Sequence, residues 1–115
     1  MEDTTIEFKL SILKLGLVNL SKEYTEQIKL FPSFVDPVDE VLSDFEDGFL
    51  LLPAIEEENI LDVETINLIK KCNELIDINL ENQNLLSDKS FQFAEAWQQV
   101  RLLASDILKD PQFNY

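Results

Sequence analysis

The chain has 115 residues, 45% of them hydrophobic, with 23 acidic and 9 basic side chains, no histidine, one cysteine and two glycines. That length fits one domain with enough apolar material for a core, which excludes the charged, apolar-poor composition of a disordered chain. The net charge of −14 excludes nucleic acid and anionic membranes as natural partners, because both are polyanions.

Missing residue types exclude more. Without histidine the chain lacks the commonest general base and metal ligand. Two glycines, Gly16 and Gly48, cannot make a glycine-rich phosphate loop. The single Cys72 has no partner for an internal disulfide, which fits a reducing cytosol. Glu7, Lys9 and Lys14 interrupt the first apolar run, and neither a basic leader nor a small-residue cleavage site surrounds it. No stretch reaches the roughly 18 apolar residues of a membrane span. The expectation is a cytoplasmic single domain over residues 1–115.

Along the chain, Ile6, Leu10, Leu13, Leu17, Leu20, Tyr24, Ile28 and Phe31 recur at intervals of three and four. That spacing predicts one helix with a single apolar stripe, ended by Pro32. Thr4 and Glu7 read as a capping box at its start. Phe8, Ile12 and Leu15 widen the stripe, which predicts a first half buried on two sides. Gly16 costs about 1 kcal/mol against alanine inside a helix, and it points to a close helix crossing or a break near Asn19–Ser21. Phe34 reads as a hydrophobic staple before the next helix, with an exposed anchor beside the acids as the alternative.

Asp36-Pro37 opens a second helix, with aspartate as N-cap and proline at the first helical position. Val38, Val41, Leu42 and Phe45 form its buried side, and Gly48 is expected to end it as a left-handed residue. Phe49-Leu50-Leu51-Leu52 reads as an extended buried connector, and Pro53 as the start of a short helical turn. Asp62 caps a helix to about Leu80, with Ile66, Ile69, Ile76 and Leu80 as its apolar face. Cys72 lies on that face and reads as an inert core thiol. After the polar Glu81-Asn82-Gln83-Asn84 loop, Ser87 or Ser90 caps a last helix reaching Lys109. Its stripe is Phe93, Trp97, Val100, Leu103, Ala104 and Ile107, with Arg101 snorkelling over Trp97. Four amphipathic segments with short connections predict an all-α single-domain bundle of four to five helices.

The charge is unevenly placed. Residues 30–69 hold eleven carboxylates and no base: Asp36, Asp39, Glu40, Asp44, Glu46, Asp47, Glu56, Glu57, Glu58, Asp62 and Glu64. Residues 1–29 carry a net −1 and residues 70–115 a net −2. A solvated helix face ordinarily mixes signs to gain pairs worth about 0.2–0.5 kcal/mol each, and crowding like charges costs stability. The concentration therefore reads as a partner-binding surface for something cationic. It does not read as chemistry. Starting from Asp44, a calcium loop would need glycine where Phe49 stands, and no metal or other cofactor is expected. Paired carboxylates for glycoside hydrolysis have no evident cleft, so no catalytic residue is assigned and the protein is not expected to be an enzyme.

A small, histidine-free helical bundle with one intensely acidic helix resembles bacterial toxin-immunity proteins, the inhibitors of nuclease toxins of the colicin or contact-dependent growth inhibition type. Asp36-Pro37-Val38-Asp39-Glu40, Ser43-Asp44-Phe45-Glu46-Asp47 and Glu56-Glu57-Glu58 carry the likeness. The paired tyrosines of colicin DNase inhibitors have no counterpart, since the tyrosines here are Tyr24 and Tyr115. The resemblance implies a monomer or weak dimer whose acids cover a basic toxin's active site or a neighbouring exosite. Two other classes fit the same charge. One is a nucleic-acid mimic that inhibits a DNA-binding defence protein; the other is a helical adaptor whose acids serve solubility.

Overall fold

The computed structural model of the chain describes residues 5–113. Helix α1 (Ile6–Ser21) starts where Thr5, in extended backbone, accepts a hydrogen bond from the Phe8 amide at 3.2 Å. The cap is therefore Thr5, and Thr4, the expected cap, lies outside the described residues. The helix stops at Ser21 and does not run on to Phe31. Lys22 and Glu23 are extended, and a separate turn, α2 (Tyr24–Gln27), follows. The break is held by Gln27, whose Nε2 donates to the Asn19 carbonyl at 3.0 Å and the Leu20 carbonyl at 3.5 Å. Those are among the carbonyls that a helix end leaves without partners. A side chain seven and eight residues ahead thus does what further helix would have done.

Helix α3 (Pro37–Phe49) begins as expected, with the Asp36 carboxylate accepting from the Val38 amide at 3.0 Å. Gly48 does not end it. The residue sits inside the helix, and no described glycine has positive φ. Its role is close approach. A Cβ on Gly48 would stand 2.7 Å from the Leu13 Cα, and one on Gly16 would stand 2.7 Å from the Asp44 carbonyl oxygen and 2.9 Å from the Phe45 Cα. Each helix thus presents a glycine to the other's backbone, which draws α1 and α3 together.

The apolar run after α3 is not an extended connector. Leu50 and Leu51 keep right-handed helical angles and lead directly into α4 (Leu52–Glu57). Pro53 fits in that first turn, where a missing amide costs nothing. Only part of the run is buried: Leu52 and Ile55 enter the core while Leu50 is 69% exposed. Asn59, at φ 56°, turns the chain toward α5 (Val63–Leu80), a left-handed position asparagine tolerates. Asp62 precedes α5 without a side-chain capping bond.

The expected last helix is two helices. Ser87 caps α6 (Asp88–Phe93), Ala94 is extended, and α7 (Glu95–Ile107) follows. Arg101 closes the break. Its guanidinium donates to the Phe91 carbonyl at 2.9 Å and the Gln92 carbonyl at 3.2 Å, both in the last turn of α6. It lies 5.6 Å from the Phe91 ring centroid and is 2% exposed, so it does not snorkel over Trp97. Burial lowers its pKa, and the Glu23 carboxylate 3.8 Å away opposes that shift. The break turns Phe93 out of the predicted stripe to 72% exposure. Trp97, Val100, Ala104 and Ile107 are buried as expected, and Trp97 Nε1 donates to the Leu85 carbonyl at 2.8 Å.

The result is an all-α bundle. Helix α1 packs on α3 and α7, and α5 packs on α7. One continuous core joins Leu13, Leu17, Val41, Phe45, Ile69, Trp97, Val100 and Ile107. Thr65 donates to Asp110 at 2.6 Å, tying the chain's end, with buried Phe113, to the start of α5. Among the described residues no helix is long and apolar enough to cross a membrane.

Gly16→Ala tests the crossing. Alanine gains about 1 kcal/mol in helix propensity, yet the added methyl meets backbone that cannot move aside. The expected outcome is a net loss of about 1–3 kcal/mol in urea unfolding, against the gain an uncrowded helix would show.

Candidate partner-binding face

Four of the eleven acids lie on one side of α3 by helical register. Asp39, Glu40, Glu46 and Asp47 are exposed, opposite the buried Val41, Phe45 and Gly48. Asp44 is half-buried beside α1, where the Asn19 amide donates to its Oδ2 at 3.4 Å, and Asp36 caps the helix. No ion pair among the described residues involves an α3 carboxylate. The last turn of α3 contains Glu46 and Asp47 and no base, although the helix dipole favours cations there.

The remaining acids form a different set. Glu57, Glu58, Asp62 and Glu64 are exposed on α4 and the start of α5. Glu56 is paired with Lys70 Nζ at 3.0 Å. The absence of a base between residues 30 and 69 thus does not carry over into space for α4, because α5 supplies one. It does carry over for α3.

Exposed apolar side chains stand at both ends of α3 and on α1. Phe34, just before the helix, is 87% exposed, which overturns its reading as a staple. Leu50, just after it, was hidden in sequence by its apolar neighbours. On α1, Leu15 is 56% exposed and Phe8 42%, so the expected burial of α1 on two sides does not occur. Beside these residues a groove of about 470 Å³ runs between α1 and α3, lined by Ile12, Leu15, Asp44, Asp47, Leu50 and Leu51. Another, of about 300 Å³, lies on the other side of α3 and includes Leu42, Glu46, Leu50, Asp77 and Leu80. Exposed apolar anchors within a polar rim are the anatomy of a protein-binding surface.

Cys72 is fully buried, and burial pushes its thiol up to about 12. Among the described residues no group of three His, Cys, Asp or Glu side chains is placed to hold a metal ion. Fold and surface together define a class: an all-α bundle presenting an acidic helix whose carboxylates, among the described residues, form no ion pair. Comparison of the chain with protein-family models, with curated proteins and with solved structures finds no match.

Two measurements check this description. Salt should stabilise the protein by screening the α3 repulsion, raising Tm by about 3–5 °C between low and roughly 0.3 M NaCl. Asp39→Asn, Glu40→Gln, Glu46→Gln and Asp47→Asn combined should raise Tm at low salt and flatten that dependence. Cys72, buried and with its thiol pushed up to about 12, should react with an aromatic disulfide reagent only as fast as the structure around it opens.

Proposed function

We propose that this chain is a cytoplasmic inhibitor that binds a basic protein, a bacterial nuclease toxin, and covers its cationic surface with the outer face of α3. A nuclease must hold phosphates and so carries clustered lysines and arginines. Carboxylates gathered on one helix compete for those side chains and accelerate encounter, up to ~10⁸–10⁹ M⁻¹s⁻¹ at low salt. The inhibitor performs no chemical step. The observation that carries this reading is that Asp39, Glu40, Glu46 and Asp47 share one exposed side of α3 and, among the described residues, form no ion pair. The exposed Phe34 and Leu50 at the two ends of that helix support a protein partner over a bare polycation. The nucleic-acid-mimic reading needs carboxylates continued over an extended surface at phosphate-like intervals, and Lys70 on Glu56 interrupts such a continuation at α4.

The test is capture at low salt from the native host, followed by a nuclease assay on the captured protein. The expected partner is a basic nuclease whose hydrolysis of DNA or RNA stops when the native chain is added. The quadruple variant above should bind about 10²-fold more weakly, four rim contacts at roughly 0.5–1 kcal/mol each. A partner without nuclease activity, or an affinity indifferent to the four substitutions, overturns the proposal.

A further inference from the structure

The geometry points to a specific occupant for the groove between α1 and α3: an amphipathic basic helix of the partner, its apolar face on α1 and its lysines or arginines on α3. This rests on the reading of the acidic face as a surface for a basic protein, and it states what shape that protein presents.

Three observations lead there. Phe8, Ile12 and Leu15 follow one another at intervals of four and three on α1, so they form a short apolar stripe about two turns long. The fold leaves its two ends 42% and 56% exposed. On the facing wall Asp44 and Asp47 of α3 line the groove with Leu50 and Leu51, opposite Ile12 and Leu15. The α1 wall is apolar, the α3 wall carries two carboxylates beside Leu50 and Leu51, and among the described residues no basic side chain lines the groove. Such walls match a ligand that is apolar on one flank and cationic on the next.

The backbone decides its conformation. Both walls are helices whose main-chain groups bond within themselves, so neither offers an edge to an extended strand, which would leave its own amides unpaired. A helix brings its backbone already satisfied. A second copy of this chain fits poorly, because it would carry a further −14 toward Asp44 and Asp47.

The test uses two synthetic probes of equal charge: a helix-forming peptide about four turns long with leucines at intervals of three and four and lysines elsewhere, and an oligolysine. Titration calorimetry and ¹⁵N shift mapping are run on the native chain, on Leu15→Ser and on Asp44→Asn/Asp47→Asn, each checked for native helicity by circular dichroism. The expected result is that the amphipathic peptide binds at least about tenfold more tightly than oligolysine. Leu15→Ser should remove that advantage while leaving oligolysine binding unchanged, and shifts should centre on residues 12–16 and 44–51. Equal affinities for the two probes, or an advantage that survives Leu15→Ser, overturn the groove assignment. In that case oligolysine binding that weakens in Asp44→Asn/Asp47→Asn keeps the acidic-face reading standing. If neither probe binds the native chain, both readings fall. Self-association of the free protein that Leu15→Ser abolishes puts a second copy in the groove and overturns the assignment as well.

Discussion

The reciprocal contact of Gly16 with the α3 backbone and Gly48 with the α1 backbone is the constraint on which the rest of the bundle depends. Helices whose side chains keep them at ordinary separation meet through interdigitated residues about 8–10 Å apart. Here backbone meets backbone at two points, so the rotation of α3 about its axis is set as well as its distance. That rotation sends Val41 and Phe45 inward and leaves Asp39, Glu40, Glu46 and Asp47 no position except outside. The two glycines cost helix propensity, and the close packing of Leu13, Leu17 and Phe45 offsets it.

The same contact explains why a repulsive helix can persist. Carboxylates without opposite charges raise the energy of the folded state, and α3 adds the unfavourable pairing of Glu46 and Asp47 with its negative end. Neither conflict is relieved by an ion pair, since among the described residues none involves an α3 carboxylate. Where local rules are broken without local gain, function is the usual reason. The uncovered Phe34, Leu15 and Leu50 are further conflicts of this kind, and they border the same helix.

Two buried polar side chains hold the remaining architecture. Gln27 closes the end of α1 and Arg101 the end of α6, each through a long-range bond to freed carbonyls. Gln27 is fully buried, and its Oε1 has no partner among the described residues. Arg101 keeps its charge inside because two carbonyls, Gln98 and the Phe91 ring surround it. Both residues convert what periodicity presents as one long helix into two. Cutting those helices lets a chain of 115 residues fold back on itself.

The sequence by itself determined what local chemistry can dictate: the all-α class, Asp36-Pro37 as the start of α3, the span of α5, the buried faces of α3 and α7, the inert Cys72 and the acidic stretch. Each follows from residue spacing or from a cap formed with near neighbours. The sequence offered a break near Asn19–Ser21 as one of two readings of Gly16, and the tertiary structure fixed it after Ser21 and added the unforeseen one at Ala94, because their stabilising donors, Gln27 and Arg101, act across seven to ten residues. The tertiary structure also decided that Gly48 serves a crossing, since a glycine suits a turn and a close approach equally until a facing backbone is present. It separated Glu56, paired with Lys70 from another helix, from the α3 acids, which form no ion pair among the described residues. Periodicity identifies a side of a helix that can be buried. Whether another element arrives to cover it is a property of the whole chain, and for Phe8 and Leu15 none does.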